Sequence, residues 1–481
     1  MLLDLFLAAA PLLAAPPALQ PLVGPVQEAD LGAEREAARL ELVGGLEGLV
    51  EWCGKQKAFA ARARLYGRLI AIEPDHAEAR RALGYRRQKD GSWKEPRRPR
   101  TSKDQDPEAL AELAKLEQAV DAAYSRRVLG LLEAFSDLPP RLRREVVGDI
   151  LRSNPDDAAA RAELGEARDG EAWVLAETLT ARARRAELKA LVQVALAEAP
   201  KAERVAPSER EAAFGLVWKG VVASDEVRAL STDSEEEARQ LAQALPAARR
   251  LFEGAFGLRA SFPDGLTLFA LPNDGEKATF LDAHPAVDAE YRAFLEGLEG
   301  TSIRDSSDFA QWAPDRLRRL DSLVRIGFMW LFVQSCGLSP QVGWAFEGFG
   351  LYLTRELVGT RLTWFVRPSE YGQARDDSAL RARLMDTRVN WMGEAYKLLS
   401  QPTRPSLPLM LGKDVNRLDT RDLLYSYALG AYLLEAEAEH LPRILRRLGK
   451  GEASVKVLEE ELGRPITELP DHLLRWLSER R

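Results

Sequence analysis

The chain has 481 residues, 46% of them hydrophobic and 29% charged, an ordinary globular composition long enough for two or three domains. A net charge of −7, with basic runs only at Lys94 to Lys103 and Arg316 to Arg319, excludes a general nucleic-acid binder. Two cysteines, Cys53 and Cys336, exclude a disulfide framework or a zinc knuckle and read as small apolar residues.

The first stretch, MLLDLFLAAAPLLAAPPALQ, has an apolar core from Leu2 to Ala15 followed by prolines and small residues. That is the pattern of a signal peptide over residues 1–20, and it implies a periplasmic or secreted protein. The n-region holds Asp4 and no Lys or Arg, so an uncleaved anchor or a mis-called start codon stays open. The apolar run is short for a bilayer and Pro11 interrupts it, so no stable membrane span is expected after leader removal.

Residues 28–200 read as helical. Glu28 to Leu49 alternates at helical spacing, and a second helical segment, Trp52 to Ile72, ends before Pro74. The next stretch, PDHAEARRALGYRRQKDGSW from Pro74 to Trp93, has a second copy, PDDAAARAELGEARDGEAW, from Pro155 to Trp173. Each copy predicts a helix before the proline, a helix after it, a glycine end and a closing tryptophan. The fragment resembles tetratricopeptide-like repeats, which implies helical-repeat hairpins; two copies so far apart are equally compatible with hairpins that merely pack on the next domain. Between them, residues 94–107 (KEPRRPRTSKDQDP) form a prolyl, charged linker, solvated or touching an anionic surface.

From about Ala206 the pattern changes. Val227 to Thr232 predicts a short strand. Ser234 with Glu237 predicts a capping box opening a helix to Phe256. Gly265 to Leu271 predicts a buried strand closed by the turn Pro272-Asn-Asp-Gly. A helix over Ala278 to Leu298 precedes weaker strand signals at Ser302 to Arg304 and Phe309 to Trp312. Beyond Arg367 the chain reads as helices at Leu380 to Leu399, Arg421 to Glu439, Leu441 to Leu448, Ala453 to Leu462 and Pro470 to Glu479.

Between these lies the stretch Arg316 to Val358. From Leu323 to Val333 only Arg325 is charged and apolar residues cover every helical face, so this helix is expected to be buried. Gly337 and Pro340 end it, and a second helix carries Trp344, Glu347, Tyr352 and Leu353. Its segment WAFEGFGLYL resembles the W-x-x-E-G-x-A-x-Y segment of peptidase-MA-like, gluzincin-type zinc metallopeptidases, with Glu347, Gly348 and Tyr352 at the matching places. Tyr425 to Leu469 resembles the helical tail of the same family. The resemblance covers residues 210–481 and implies a predominantly α (α+β) fold, in which a small mixed sheet precedes the helix pair and a helical C-terminal lobe follows.

The same resemblance implies two histidines at i and i+4 with a glutamate between them. Counted back from Glu347 by the family's spacing, that motif falls on Val324 to Phe328, which read Val-Arg-Ile-Gly-Phe. Val324 and Phe328 stand where the ligands would be, and Arg325 stands where the general base would be. The four histidines, His76, His284, His440 and His472, have no ligand-spaced partner and read as structural, His284 in an exposed-looking loop. Asp305, Ser306, Ser307 and Asp308 form a polar cluster read as a loop closing onto a helix N-terminus. The implied protein has no catalytic residue, metal or cofactor. It is a pseudo-peptidase that binds a protein or peptide partner through a vestigial cleft and helical repeats, with a divergent hydrolase using the same cleft as the alternative. Arg325 and Glu347 are expected to form a buried ion pair, the alternative being an outward-reaching Arg325 with Glu347 capping a backbone group.

Overall fold

A computed structural model describes residues 25–96, 106–298, 300–360 and 378–480. The leader at 1–20 and most of the 94–107 linker fall outside them. Helix accounts for 64% and strand for 8%, which makes the protein mainly helical with small sheets. The chain divides into two compact units between Ala176 and Glu177.

In the first unit, α1 (Pro25–Lys55), α2 (Phe59–Ile72) and α3 (Ala77–Ala82) lead into a hairpin of β1 (Arg86–Arg87) and β2 (Trp93–Lys94). The order then recurs: α4 (Pro107–Ala134), α5 (Pro140–Ser153) and α6 (Ala158–Glu163) lead into a hairpin of β3 (Glu166–Asp169) and β4 (Ala172–Leu175). Buried positions recur in step, Leu31 with Leu113, Leu42 with Tyr124, Leu46 with Val128, Leu49 with Leu131 and Leu69 with Ile150. The expected closing segments therefore need correction. The helix after each proline is only six residues long, and each tryptophan lies in a β-hairpin. Asp90-Gly91 in the first hairpin and Gly170-Glu171, directly after Asp169, in the second supply the turns, with both glycines at positive φ. Arg80 and Arg161, on the short helices, hold Trp93 and Trp173 at 5.7 and 5.8 Å by cation–π contact.

The second unit opens with α7 (Ala176–Ala197), which the sequence reading grouped with the preceding helical segment. Its Leu188, Val192 and Ala195 enter the core of the second unit. Then follow β5 (Glu203–Arg204), α8 (Glu209–Ala212), β6 (Gly220–Ala223), β7 (Arg228–Ser231), α9 (Glu235–Phe256), β8 (Thr267–Ala270), α10 (Asp274–Ala283), α11 (Ala289–Glu296), β9 (Gly300–Ser302) and β10 (Asp308–Gln311). The six strands make one mixed sheet in the order β5-β6-β7-β8-β10-β9, with β7, β8 and β10 parallel and the outer pairs antiparallel. Every residue of β8 and β10 is buried, because both sheet faces are covered. Leu268, Ala270 and Phe309 face the core containing α9, whereas Phe269, Leu271 and Ala310 face the smaller core under α10 and α11, as the two-residue period of a strand requires.

The expected helix over Ala278 to Leu298 is two helices broken at His284-Pro285, since the residue before proline is pushed out of helical conformation. Asn273, read as a turn residue, is the N-cap of α10 and accepts from the Glu276 N–H at 2.9 Å.

The central pair is α12 (Arg316–Cys336) and α13 (Gly343–Val358). After it come α14 (Ser378–Leu384), α15 (Trp391–Leu399), α16 (Leu407–Leu411), α17 (Thr420–Glu435), α18 (Leu441–Gly449), α19 (Ser454–Leu462) and α20 (Leu469–Arg480). Helix α13 lies against α17 at backbone contact: a Cβ on Gly348 would meet the Ser426 carbonyl, and one on Gly430 would meet the Gly348 carbonyl carbon at 2.8 Å. Phe252 and Phe256 of α9, Phe332 of α12 and Phe349 of α13 interlock, with adjacent ring centroids 4.9–5.9 Å apart. That aromatic cluster fixes the α12–α13 pair against the sheet-covering helix.

Candidate functional site

Val324, Arg325 and Phe328 sit on the buried length of α12, and Glu347 sits in the second turn of α13. All four are at most 1% exposed. Helix α12 starts at the Asp315 N-cap, which accepts from the Arg318 N–H at 2.8 Å, and it stops at Gly337. With apolar residues all round, its middle turns pack against α9 on one side and α13 on another.

In that setting Arg325 Nη2 donates to Glu347 Oε2 at 2.5 Å. Gly350 leaves room for the guanidinium to lie across α13, since a Cβ there would stand 3.3 Å from Arg325 Nε. The second carboxylate oxygen, Glu347 Oε1, has no hydrogen-bond donor among the described residues. Burial pushes the Glu347 carboxyl above its usual range, and the Arg325 charge only partly offsets this. Val324 and Phe328 are packed into the apolar core around the pair.

One turn on, Tyr352 donates to Glu435 Oε1 of α17 at 2.8 Å, and Glu435 also accepts from Arg480 Nε at 2.9 Å. Burial, reinforced by Glu435, holds the Tyr352 phenol well above its usual range. Tyr352 is therefore a neutral donor that ties α13 to α17 and α20.

The four histidines lie apart from this pair. His76 caps α3, accepting from the Ala79 N–H at 3.2 Å, with Glu47 3.1 Å from its other ring nitrogen. His440 lies 3.4 Å from Glu439, and His472 pairs with Glu177. His284 corrects the sequence reading, because its side chain is fully buried rather than exposed in a loop. Its Nδ1 accepts from the Ala286 N–H at 3.1 Å, which leaves the proton on Nε2, 2.8 Å from Asp308 Oδ2. Both ring nitrogens are thus engaged, and neither is available as a base.

Asp308 is a second correction. It does not close onto a helix N-terminus but opens β10, fully buried, and Arg210 Nη1 also donates to it at 3.2 Å. Burial pushes its carboxyl up, but the hydrogen bonds from His284 and Arg210 outweigh this and hold it below the usual range. Asp305 to Ser307 form the β9–β10 turn, where Ser306 Oγ donates to Ile303 O and accepts from the Asp308 N–H.

The sequence reading missed Arg319, which it counted in a basic run. Arg319 is fully buried and donates to Glu237 Oε1, Ala313 O and Asp233 Oδ2 at 2.8 Å and to Pro314 O at 2.9 Å. This also alters the expected capping box. Ser234 does accept from the Glu237 N–H, but the Glu237 side chain turns to Ser231 Oγ and Arg319 instead of closing the box. The usable signal was position: Arg319 lies one helical turn before the apolar run, on the face that continues into Leu323.

Among the described residues no group of three His, Cys, Asp or Glu side chains is arranged to hold a metal, and the Val324–Phe328 segment offers zinc no ligand. Among the same residues no helix is long and apolar enough to cross a membrane. Comparison with protein-family models, with curated proteins and with solved structures finds no match to the chain.

Proposed function

We propose that this chain is an exported, non-catalytic relative of the gluzincin-type zinc metallopeptidases that works as a scaffold for a protein or peptide partner. The observation that supports this most is the Arg325–Glu347 pair. A glutamate at the position of a zinc-ligating glutamate is matched by an arginine at the position of the general base. A buried carboxylate without a metal needs a cation or a proton, and a guanidinium supplies the first. Val324 and Phe328 fill the places of the two imidazoles with apolar bulk. No observation favours the divergent-hydrolase reading, since Glu347 is buried and already accepts from Arg325.

Metal analysis of the purified native protein tests the non-catalytic part, and peptide hydrolysis lost on adding a chelator, or stoichiometric zinc, overturns it. The ancestry is tested by V324H/R325E/F328H. If Glu347 points at a former metal position, the folded triple variant acquires zinc affinity. A folded variant that binds no zinc removes the metallopeptidase reading.

A further inference from the structure

The first unit contains two inter-helix seams that correspond under its internal repetition, and their charges are reversed. In one, Arg64 and Arg68 of α2 face Glu117 and Asp121 of α4. Arg64 pairs with both oxygens of Glu117, and Arg68 donates to Asp121 at 2.5 Å and to Ser153 O at 3.3 Å. Two cations meet two anions, and the seam is closed. In the other, Arg35 and Arg39 of α1 stand at the places of Glu117 and Asp121, and Glu145 and Asp149 of α5 stand at the places of Arg64 and Arg68. Here the matching is only partial: Arg35 reaches Asp149, but the other two groups turn elsewhere. Arg152 adds a third guanidinium where the first seam has Ala71, and Tyr124 replaces Leu42. Glu145 turns away to Arg141, and Arg39 turns to Glu36 of its own helix.

The result is a cavity of about 280 Å³ lined by Arg35, Glu36, Arg39, Tyr124, Asp149 and Arg152. Asp149 is shared by two arginines, accepting from Arg35 Nε at 2.7 Å and also from Arg152 Nη2. Arg35 Nη1 and Nη2, Arg39 Nη1, and Arg152 Nε and Nη1 have no acceptor among the described residues. Nor does the hydroxyl of Tyr124, a residue only 8% exposed. Burial, reinforced by Asp149, pushes that phenol up to about 12, so it is a neutral O–H donor at physiological pH.

We propose that this cavity binds a phosphate group, either inorganic phosphate or the phosphate of a small phosphomonoester. Three guanidinium groups and a phenol present donors from three helices, which suits the several acceptor oxygens of a tetrahedral oxyanion better than the two of a carboxylate. The volume falls just below the roughly 300–1,000 Å³ usual for small-molecule sites, which favours a small ligand over a segment of a macromolecule.

The test is calorimetric titration of the full-length protein with inorganic phosphate and with glycerol 3-phosphate, in chloride of matched ionic strength. Saturable binding of at least one is expected at millimolar Kd or tighter, with the tighter of the two identifying the source. R152A, which recreates the residue of the closed seam, and R39Q are each expected to weaken binding at least about tenfold, and Y124F about three- to tenfold. R64Q, in the closed seam, is expected to leave binding unchanged. Arg152 is largely exposed, so R152A keeps the fold, and an unchanged melting curve checks this. No saturation by either ligand up to about 10 mM, unchanged binding in R152A and Y124F, or an equal loss in R64Q overturns the proposal.

Discussion

Helix α12 buries two arginines less than two turns apart, and they are held in different ways. At the N-terminal end, Arg319 donates to two carboxylates and two carbonyls, and its partner Glu237 has a further donor in Ser231 at 2.5 Å. At the centre, Glu347 accepts from Arg325 on one oxygen, while its other oxygen has no donor among the described residues. The first region is a connected polar network, in which Arg319 and Glu237 are each matched more than once. In the second, Arg325 reaches Glu347 inside a core rich in apolar and aromatic side chains. A saturated network is what a fold needs to join a sheet edge, a helix start and a neighbouring helix. A carboxylate with one oxygen unsatisfied in a core is the less usual arrangement, and it is the one the ancestry proposed above would account for.

The largest effect expected from breaking this comparison is at the centre. Arg325→Met should destabilise the protein by about 3–5 kcal/mol, because Glu347 is left buried without its cation. Arg319→Met should cost less, about 2–3 kcal/mol, since Ser231 still serves Glu237 and Asp233, 44% exposed, can reach water. Urea denaturation of both variants measures the difference; equal losses, or a larger one at Arg319, would remove the asymmetry. Replacing both central partners, R325M/E347L, should cost under about 2 kcal/mol, because apolar residues of similar size suit that core. A double variant as unstable as the single one would mean that the pair contributes more than charge compensation. Gly348→Ala should cost about 1–3 kcal/mol by forcing α13 away from the Ser426 carbonyl, measurable in the same unfolding series.

The smallest effect is in pH dependence. The folded-state pKa of Glu347 is raised, so the native state holds this proton more tightly than the unfolded chain does. Its contribution is fully present below the ordinary glutamate value of 4.5 and is lost as pH rises through the raised folded value. Asp308, lowered in the folded state, acts in the opposite sense: its contribution is present above the ordinary 3.8 and is lost as pH falls through the lower folded value. Stability of the wild type minus that of Glu347→Gln, followed upward from pH 4.5, should therefore decline. A flat difference would show that Arg325 fully compensates the carboxylate.

The sequence by itself determined much of the second unit. Apolar residues on every face made α12 a buried helix, Gly337 ended it, and the runs at Leu268 and Phe309 marked buried strands, because hydrophobic period and capping chemistry are local properties. The Arg325 and Glu347 positions were legible as lone charges in apolar surroundings. The internal copies were visible at Pro74 and Pro155, and their Asp-Gly pairs were hairpin signals that the helical reading passed over.

Only the tertiary structure decided what pairs with what. His284 and Asp308 lie on different elements, and their burial comes from the helices covering one face of the sheet. Arg319 belongs to a surface-like basic run, yet it reaches Glu237 across a long sequence separation only because α9 and α12 pack side by side. Likewise the charge reversal between the two seams of the first unit appears only once packing brings Arg35 of α1 to Asp149 of α5 and brings Arg64 and Arg68 of α2 to Glu117 and Asp121 of α4. A local pattern states which residues are buried or capped; which opposite charge meets them depends on packing between distant helices, and no local period encodes that.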